Sequence, residues 1–135
     1  MFSLGSSGEF SGDMVAYCFA PVEGYSAFGS YTGNGSTDGP FVYTGFRPAF
    51  ILLKNANLVG ANWFILDTSR NTFNVVDLNL KPNSSLDEET DTSGSLDITS
   101  NGFKMRSSGT HPNGSGNTII YAAFAENPFK TARAR

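Results

Sequence analysis

Leu96-Asp97-Ile98-Thr99-Ser100 alternates apolar and polar residues, Asn101-Gly102 follows, and Phe103-Lys104-Met105-Arg106 alternates back. A period of two on both sides of an Asn-Gly pair marks a β-hairpin. Strand side chains alternate between faces, and the tight turn needs residues that accept positive φ. With Asn101-Gly102 as the two-residue turn, Ile98 falls opposite Met105 on an apolar face. Asp97 then falls opposite Arg106, and Thr99 opposite Lys104, on a polar one.

The same pattern recurs along the chain. Asn34-Gly35 and Asp38-Gly39 lie among aromatic and β-branched residues, which predicts strands near 26–32 and 40–46 joined by hairpin turns. Phe50-Ile51-Leu52-Leu53-Lys54 and Trp63-Phe64-Ile65-Leu66-Asp67 are continuous apolar runs bounded by Asn, Gly and Asp, as in strands buried on both faces of a layered sheet. Residues 80–95 are polar and acidic, and predict a long surface loop with one helical turn around 85–89. A length of 135 residues supplies one domain, and 39% hydrophobic against 16% charged residues describes a folded chain rather than a disordered one. The expected fold class is all-β: an antiparallel β-sandwich or jelly-roll-like barrel with long polar loops and no helix longer than about two turns.

An internal repeat bears on how the chain is divided. Phe2-Ser3-Leu4-Gly5-Ser6-Ser7-Gly8 aligns with Phe103-Lys104-Met105-Arg106-Ser107-Ser108-Gly109, and Met14-Val15-Ala16-Tyr17-Cys18-Phe19-Ala20 aligns with Ile119-Ile120-Tyr121-Ala122-Ala123-Phe124-Ala125. Each copy reads as strand, polar turn, small-residue-rich strand. The expectation is that residues 1–20 form a closing hairpin like the end of a preceding repeat, residues 21–129 one β-sandwich module, and residues 130–135 a C-terminal tail. Residues 14–20 would then occupy sheet positions equivalent to or beside 119–125.

Charge and rare residues narrow the function. A net charge of −3 and nine Lys and Arg spread along the chain build no stripe that tracks phosphates, so no nucleic-acid partner is expected. The first 20 residues carry no basic stretch and no segment approaches about 18 consecutive apolar residues, so neither export signal nor membrane insertion is expected. One His and one Cys leave no metal site and no cofactor in view. His111, between Gly109-Thr110 and Pro112-Asn113-Gly114, reads as a solvated loop tip, and Cys18 as a small buried hydrophobe. Gly33-Asn34-Gly35-Ser36-Thr37-Asp38-Gly39 lacks the Lys of a phosphate-cradling loop. Asp87-Glu88-Glu89 with Asp91 lacks the spacing of a calcium loop and reads as a solvated acidic stretch. No catalytic constellation is visible, and the chain is read as a non-enzyme.

Recognition is better served by rings. Tyr25, Tyr31, Tyr43 and Trp63 are amphipathic aromatics of the kind that stack on sugar faces or anchor protein interfaces, with a core position as the other reading of each. Arg47 and Arg70 either contact a ligand or pin loops by ion pairs. Tyr31 to Asp38 supplies a ring together with Asn34 and Asp38 at a turn. The candidate ligand-binding residues are therefore Tyr25, Tyr31, Asn34, Asp38, Trp63 and Arg70. If Tyr31 faces a sugar, its removal should lower adhesion without changing the melting temperature.

Gly24-Tyr25-Ser26-Ala27-Phe28-Gly29-Ser30-Tyr31-Thr32-Gly33-Asn34-Gly35, Gly45-Phe46-Arg47-Pro48-Ala49-Phe50, the Trp63, Asp67 and Arg70 segment, Ser100-Asn101-Gly102-Phe103-Lys104 and Phe124-Ala125-Glu126-Asn127-Pro128-Phe129 carry a likeness over nearly the whole chain. The sequence resembles a domain of tail-fibre-like structural proteins of tailed, especially marine, bacteriophages, where such domains recur in tandem and beside laminin-G-like modules. The resemblance implies a structural protein at the virion surface, made in the host cytoplasm, that adheres to host-surface glycan and partners other phage chains, including copies of itself. The alternative it leaves is a purely structural module, a capsid decoration or fibre spacer that mediates self-association. It carries no ligand residues over to this chain.

Overall fold

Alternating β-branched and aromatic residues, cut by glycine and asparagine turns, give short strands throughout. A computed structural model of the chain describes residues 17–128. Its strands are β1 (Ser26–Thr32), β2 (Phe41–Tyr43), β3 (Pro48–Asn55), β4 (Trp63–Asp67), β5 (Leu78–Asn79), β6 (Glu89–Thr90), β7 (Leu96–Thr99), β8 (Gly102–Met105) and β9 (Thr118–Ala125). One helical turn, α1 (Thr110–Asn113), precedes β9, and a 3-10 turn spans Thr92–Gly94. The fold is all-β and antiparallel, as the alternation predicts.

Two sheets make the sandwich and a two-stranded ribbon, β5-β6, stands beside them. The large sheet has the order β1-β9-β3-β4 and the small one β2-β8-β7. Cross-strand register lays the large sheet out as rows of neighbours. Its inner face carries Ala27-Ala123-Ile51-Leu66, then Gly29-Tyr121-Leu53-Phe64, then Tyr31-Ile119-Asn55. These meet Val42, Leu96, Ile98, Phe103 and Met105 of the small sheet in one core. Full burial of each such aliphatic or aromatic side chain is worth about 1.5–3 kcal/mol, which sets the two sheets face to face.

The predicted hairpin forms with its faces as expected and its pairing shifted. Leu96 pairs with Met105, Asp97 with Lys104, Ile98 with Phe103 and Thr99 with Gly102, so the two-residue turn is Ser100-Asn101. Gly102 is a strand residue. A Cβ there would stand 2.1 Å from the Val42 carbonyl oxygen, so the glycine is required by the close approach of β2 and not by positive φ.

Other expectations are corrected in the same way. Strands form near 26–32 and 40–46, but β1 pairs with β9 and β2 with β8, so residues 33–40 cross between sheets and close no hairpin. Likewise β8 and β9 lie in different sheets, and the 103–125 unit is a crossover through α1. Of residues 1–20 only 17–20 are described. They form no strand, and Phe19 stacks on Phe28 at 5.4 Å between ring centroids and meets Phe124 edge-on at 6.3 Å. The rest of that expectation, together with Phe129 and the whole C-terminal tail, residues 130–135, lies outside the described residues. In the acidic loop the helical turn falls at 92–94, where the Asp91 carboxylate accepts from the Ser93 N–H, and Glu89–Thr90 forms a strand. Strand β3 is buried on one face only: Ile51 and Leu53 are inaccessible, whereas Phe50 and Leu52 of the outer face are half-buried. Cys18 is exposed, because its segment lies over the outer face and not within a sheet.

Candidate functional site

The register of β7 and β8 continues past the hairpin and brings two hydroxyl-rich segments together. Ser95 accepts the Arg106 N–H at 2.9 Å through its carbonyl, and the Ser107 hydroxyl donates to the Ser93 carbonyl. The edge of β7 is closed by residues 74–76. Asn74 mimics a strand by bonding both the N–H and the carbonyl of Ile98 at 2.9 Å, and Val76 pairs with Leu96. The peptide between Asn74 and Val75 is cis. The loop over residues 33–39 forms the remaining wall.

Between these walls lies a cleft of about 580 Å³, lined among others by Thr37, Val75, Asp77, Thr92, Arg106 and Ser108. Within the described residues the hydroxyls of Thr37, Thr92 and Ser108 make no hydrogen bond. Arg106 spends Nε on Asp97 at 2.5 Å and stands 4.0 Å from Asp38 through Nη1. Asp77 uses only Oδ1 within the protein, accepting from the Asn71 side-chain amide at 3.3 Å. Three open hydroxyls, a half-exposed guanidinium and a carboxylate with a vacant oxygen can exchange hydrogen bonds with a polyhydroxylated ligand, donor and acceptor alike, beside the small apolar patch of Val75.

The six residues expected to bind do not converge on it. Tyr31 packs its ring on the core, edge-on to Phe103 at 6.1 Å, and its hydroxyl donates to the Pro112 carbonyl at 2.6 Å. Desolvation pushes its ionisation far above the ordinary phenol range. The Asn34 backbone N–H donates to Asn113 Oδ1, while its side chain accepts from the Asn113 amide and the Ser36 N–H and donates to the Asp38 carbonyl, so its amide is used in building the loop. Asp38 stands on the rim, 2.8 Å from the Lys104 ammonium, whose hydrogen bond and charge hold its carboxyl below the usual range. Arg70 is a loop pin: Nε meets Asp67 at 2.6 Å, Nη1 meets Glu88 at 3.4 Å, and Nη2 donates to the Ile65 carbonyl at 3.0 Å. Arg47 likewise pairs with Glu126 at 3.0 Å. Tyr25 meets Phe124 edge-on at 6.0 Å and Trp63 lies on the outer face of the large sheet, both away from the cleft lining.

The acidic loop is also accounted for. Glu88 pairs with Arg70, Glu89 with Lys81, and Asp91 caps the 3-10 turn. Among the described residues no three His, Cys, Asp or Glu gather to hold a metal. His111 is not a solvated tip: it sits in α1, half-buried, edge-on to Phe64 at 6.1 Å, with its Nδ1 buried and unpartnered. No helix among the described residues is long and apolar enough to cross a membrane. Fold and cleft together define the class, an antiparallel two-sheet sandwich with a hydroxyl-lined hollow at one sheet edge. The chain belongs to the family described as a domain of unknown function, DUF7483, which matches residues 1–128. No curated protein and no solved structure matches it.

Proposed function

We propose that the chain is a non-catalytic surface module of a bacteriophage virion, part of a tail fibre or related appendage, that contributes to adhesion to host-surface glycan. The observation that carries the adhesive part is the cleft with its unspent Thr37, Thr92 and Ser108 hydroxyls beside Arg106 and Asp77. Thr37, Thr92 and Ser108 are exposed, so their hydroxyls face solvent in the free protein, and a ligand that offers many hydroxyls can take the place of that water. The viral setting is supported by the sequence likeness to tail-fibre-like domains. The test is an array of surface polysaccharides probed with the domain multimerised on beads. Retention should fall with Thr92→Val and with Ser108→Ala while thermal stability holds, and retention of both variants equal to that of the unaltered domain overturns the assignment of the cleft. A second reading, a structural module that self-associates, is favoured by the apolar outer face of the large sheet.

A further inference from the structure

Strand β1 lies at one edge of the large sheet, and its outward side is open. Its bonds to β9 fall on alternate residues. At the two ends the Ala125 N–H donates to the Tyr25 carbonyl and the Gly33 N–H to the Asn117 carbonyl, each at 2.9 Å. Ala27, Gly29 and Tyr31 therefore face β9 between them, while Ser26, Phe28, Ser30 and Thr32 present N–H and carbonyl to the other side. Val22 closes that side at Ser26, with bonds of 3.1 and 2.9 Å. Among the described residues no hydrogen bond reaches the backbone of Phe28, Ser30 or Thr32 on it. Before Val22 the chain leaves the edge, and Phe19 stacks on Phe28 from the outer face at 5.4 Å. The other sheet edges are short or capped: β4 by the bridge from Ile65 to Leu80, β7 by residues 74–76, and β2 is three residues long. β1 has seven residues and none of the devices that blunt an exposed edge, for it carries no charge, no proline and no bulge against β9.

We propose that β1 pairs antiparallel with β1 of a second copy of the chain. A twofold axis at Ser30 sets Ser30 against Ser30, Phe28 against Thr32 and Gly29 against Tyr31 of the other copy. In that register every open residue meets an open residue, so the three N–H groups and three carbonyls of each copy are all paired. Neither strand brings a charge to the seam. The Tyr121 ring lies across Gly29, its hydroxyl 3.0 Å from where a Cβ would stand and unbonded among the described residues, so a further donor stands at the same edge. A second copy is favoured over a foreign segment because its strand is already formed and held by β9, whereas a free peptide must be ordered on binding. The pairing joins two four-stranded sheets into one, and growth stops there because β4 at the far edge is capped by Leu80. Backbone bonds along one narrow edge carry the contact rather than apolar area, so it is weak and dependent on concentration. The pairing rests on the self-association reading and gives it an edge of the same large sheet.

The full chain is followed from about 20 μM to about 1 mM by sedimentation and by amide hydrogen exchange resolved by NMR, with reductant present because the Cys18 thiol is exposed. The expected result is a monomer–dimer equilibrium in which exchange at Phe28, Ser30 and Thr32 slows about tenfold as dimer forms, while Ala27, Gly29 and Tyr31, held by β9, stay as they were. Ser30 is exposed, and Ser30→Lys and Ser30→Glu each set like charges against one another on the axis. Each should return the mass to monomer with unchanged circular dichroism, and mixing the two variants should restore a dimer, because opposite charges then face each other. A dimer indifferent to both substitutions, or one that mixing fails to restore, overturns the β1 seam but leaves self-association standing. A monomer throughout overturns both. Slow exchange at Phe28, Ser30 and Thr32 in the monomer overturns the seam as well, because the edge is then closed within one chain.

Discussion

Tyr31 shows how one side chain changes role between sequence and fold. Beside Asn34-Gly35 it reads as a ring at a loop, but β1 alternation turns it inward, in one row with Ile119 and Asn55, and its hydroxyl closes on the Pro112 carbonyl. Tyr31→Ala should therefore destabilise the domain by about 3 kcal/mol through the cavity it leaves, whereas Tyr31→Phe, which removes one hydrogen bond, should cost about 1 kcal/mol. Urea unfolding separates the two, and an unchanged midpoint for Tyr31→Ala would return the residue to the surface. Burial raises the phenol above its unfolded value, so its contribution is complete below about pH 10 and declines as pH rises from there. The Phe variant should show a smaller alkaline loss. Asn113 has the opposite history, because nothing in Pro112-Asn113-Gly114 marks it. It is fully buried, accepts the Asn34 N–H at 2.9 Å, and donates to Asn34, Ser36 and Ser107. Buried amides of this sort have no periodic signal, since their partners are residues far away in sequence.

At the scale of elements, alternation made faces legible and left pairing open. A shift of two residues between paired strands keeps every side chain on its face, so Ile98 and Met105 face the core even with Asn101-Gly102 read as the turn, and Leu96 and Phe103 join them there. The same shift hid the site. With the actual register Ser95 stands opposite Arg106 and Ser93 beside Ser107, and the hydroxyl-rich stretches at 92–95 and 106–109 become two walls of one cleft. The hydrophobic pattern also cannot distinguish a core face from an apolar outer face, which is why Phe50 and Leu52 read as fully buried. The turn after β4 is a case where ion pairs fix an element. Burial works to raise the Asp67 carboxyl, but the Arg70 N–H and guanidinium and the Ser69 N–H outweigh it and leave it below its ordinary value. A lowered carboxyl contributes stability that is complete above the unfolded value near pH 4 and is lost as pH falls through the folded one. Stability should thus drop below about pH 4, and Asp67→Asn should lower it at neutral pH and flatten that acid limb. An acid limb unaltered by the substitution would remove Asp67 from the account.

For the whole molecule, affinity depends on how many clefts engage at once. A few hydrogen bonds to sugar hydroxyls, each worth about 0.5–1.5 kcal/mol net, put one cleft in the millimolar range. Copies held together convert later contacts into intramolecular ones and raise avidity by roughly 10²–10⁴ where geometry lets the clefts engage together. Retention on a polysaccharide-coated surface should therefore be far stronger for the domain multimerised on beads than the weak binding of the single domain measured by calorimetry. Thr92→Val should lower both together, because every added contact uses the same cleft. Equal binding by the single and the multimerised domain would remove multivalency from the account, and a Thr92→Val variant that keeps both would remove the cleft.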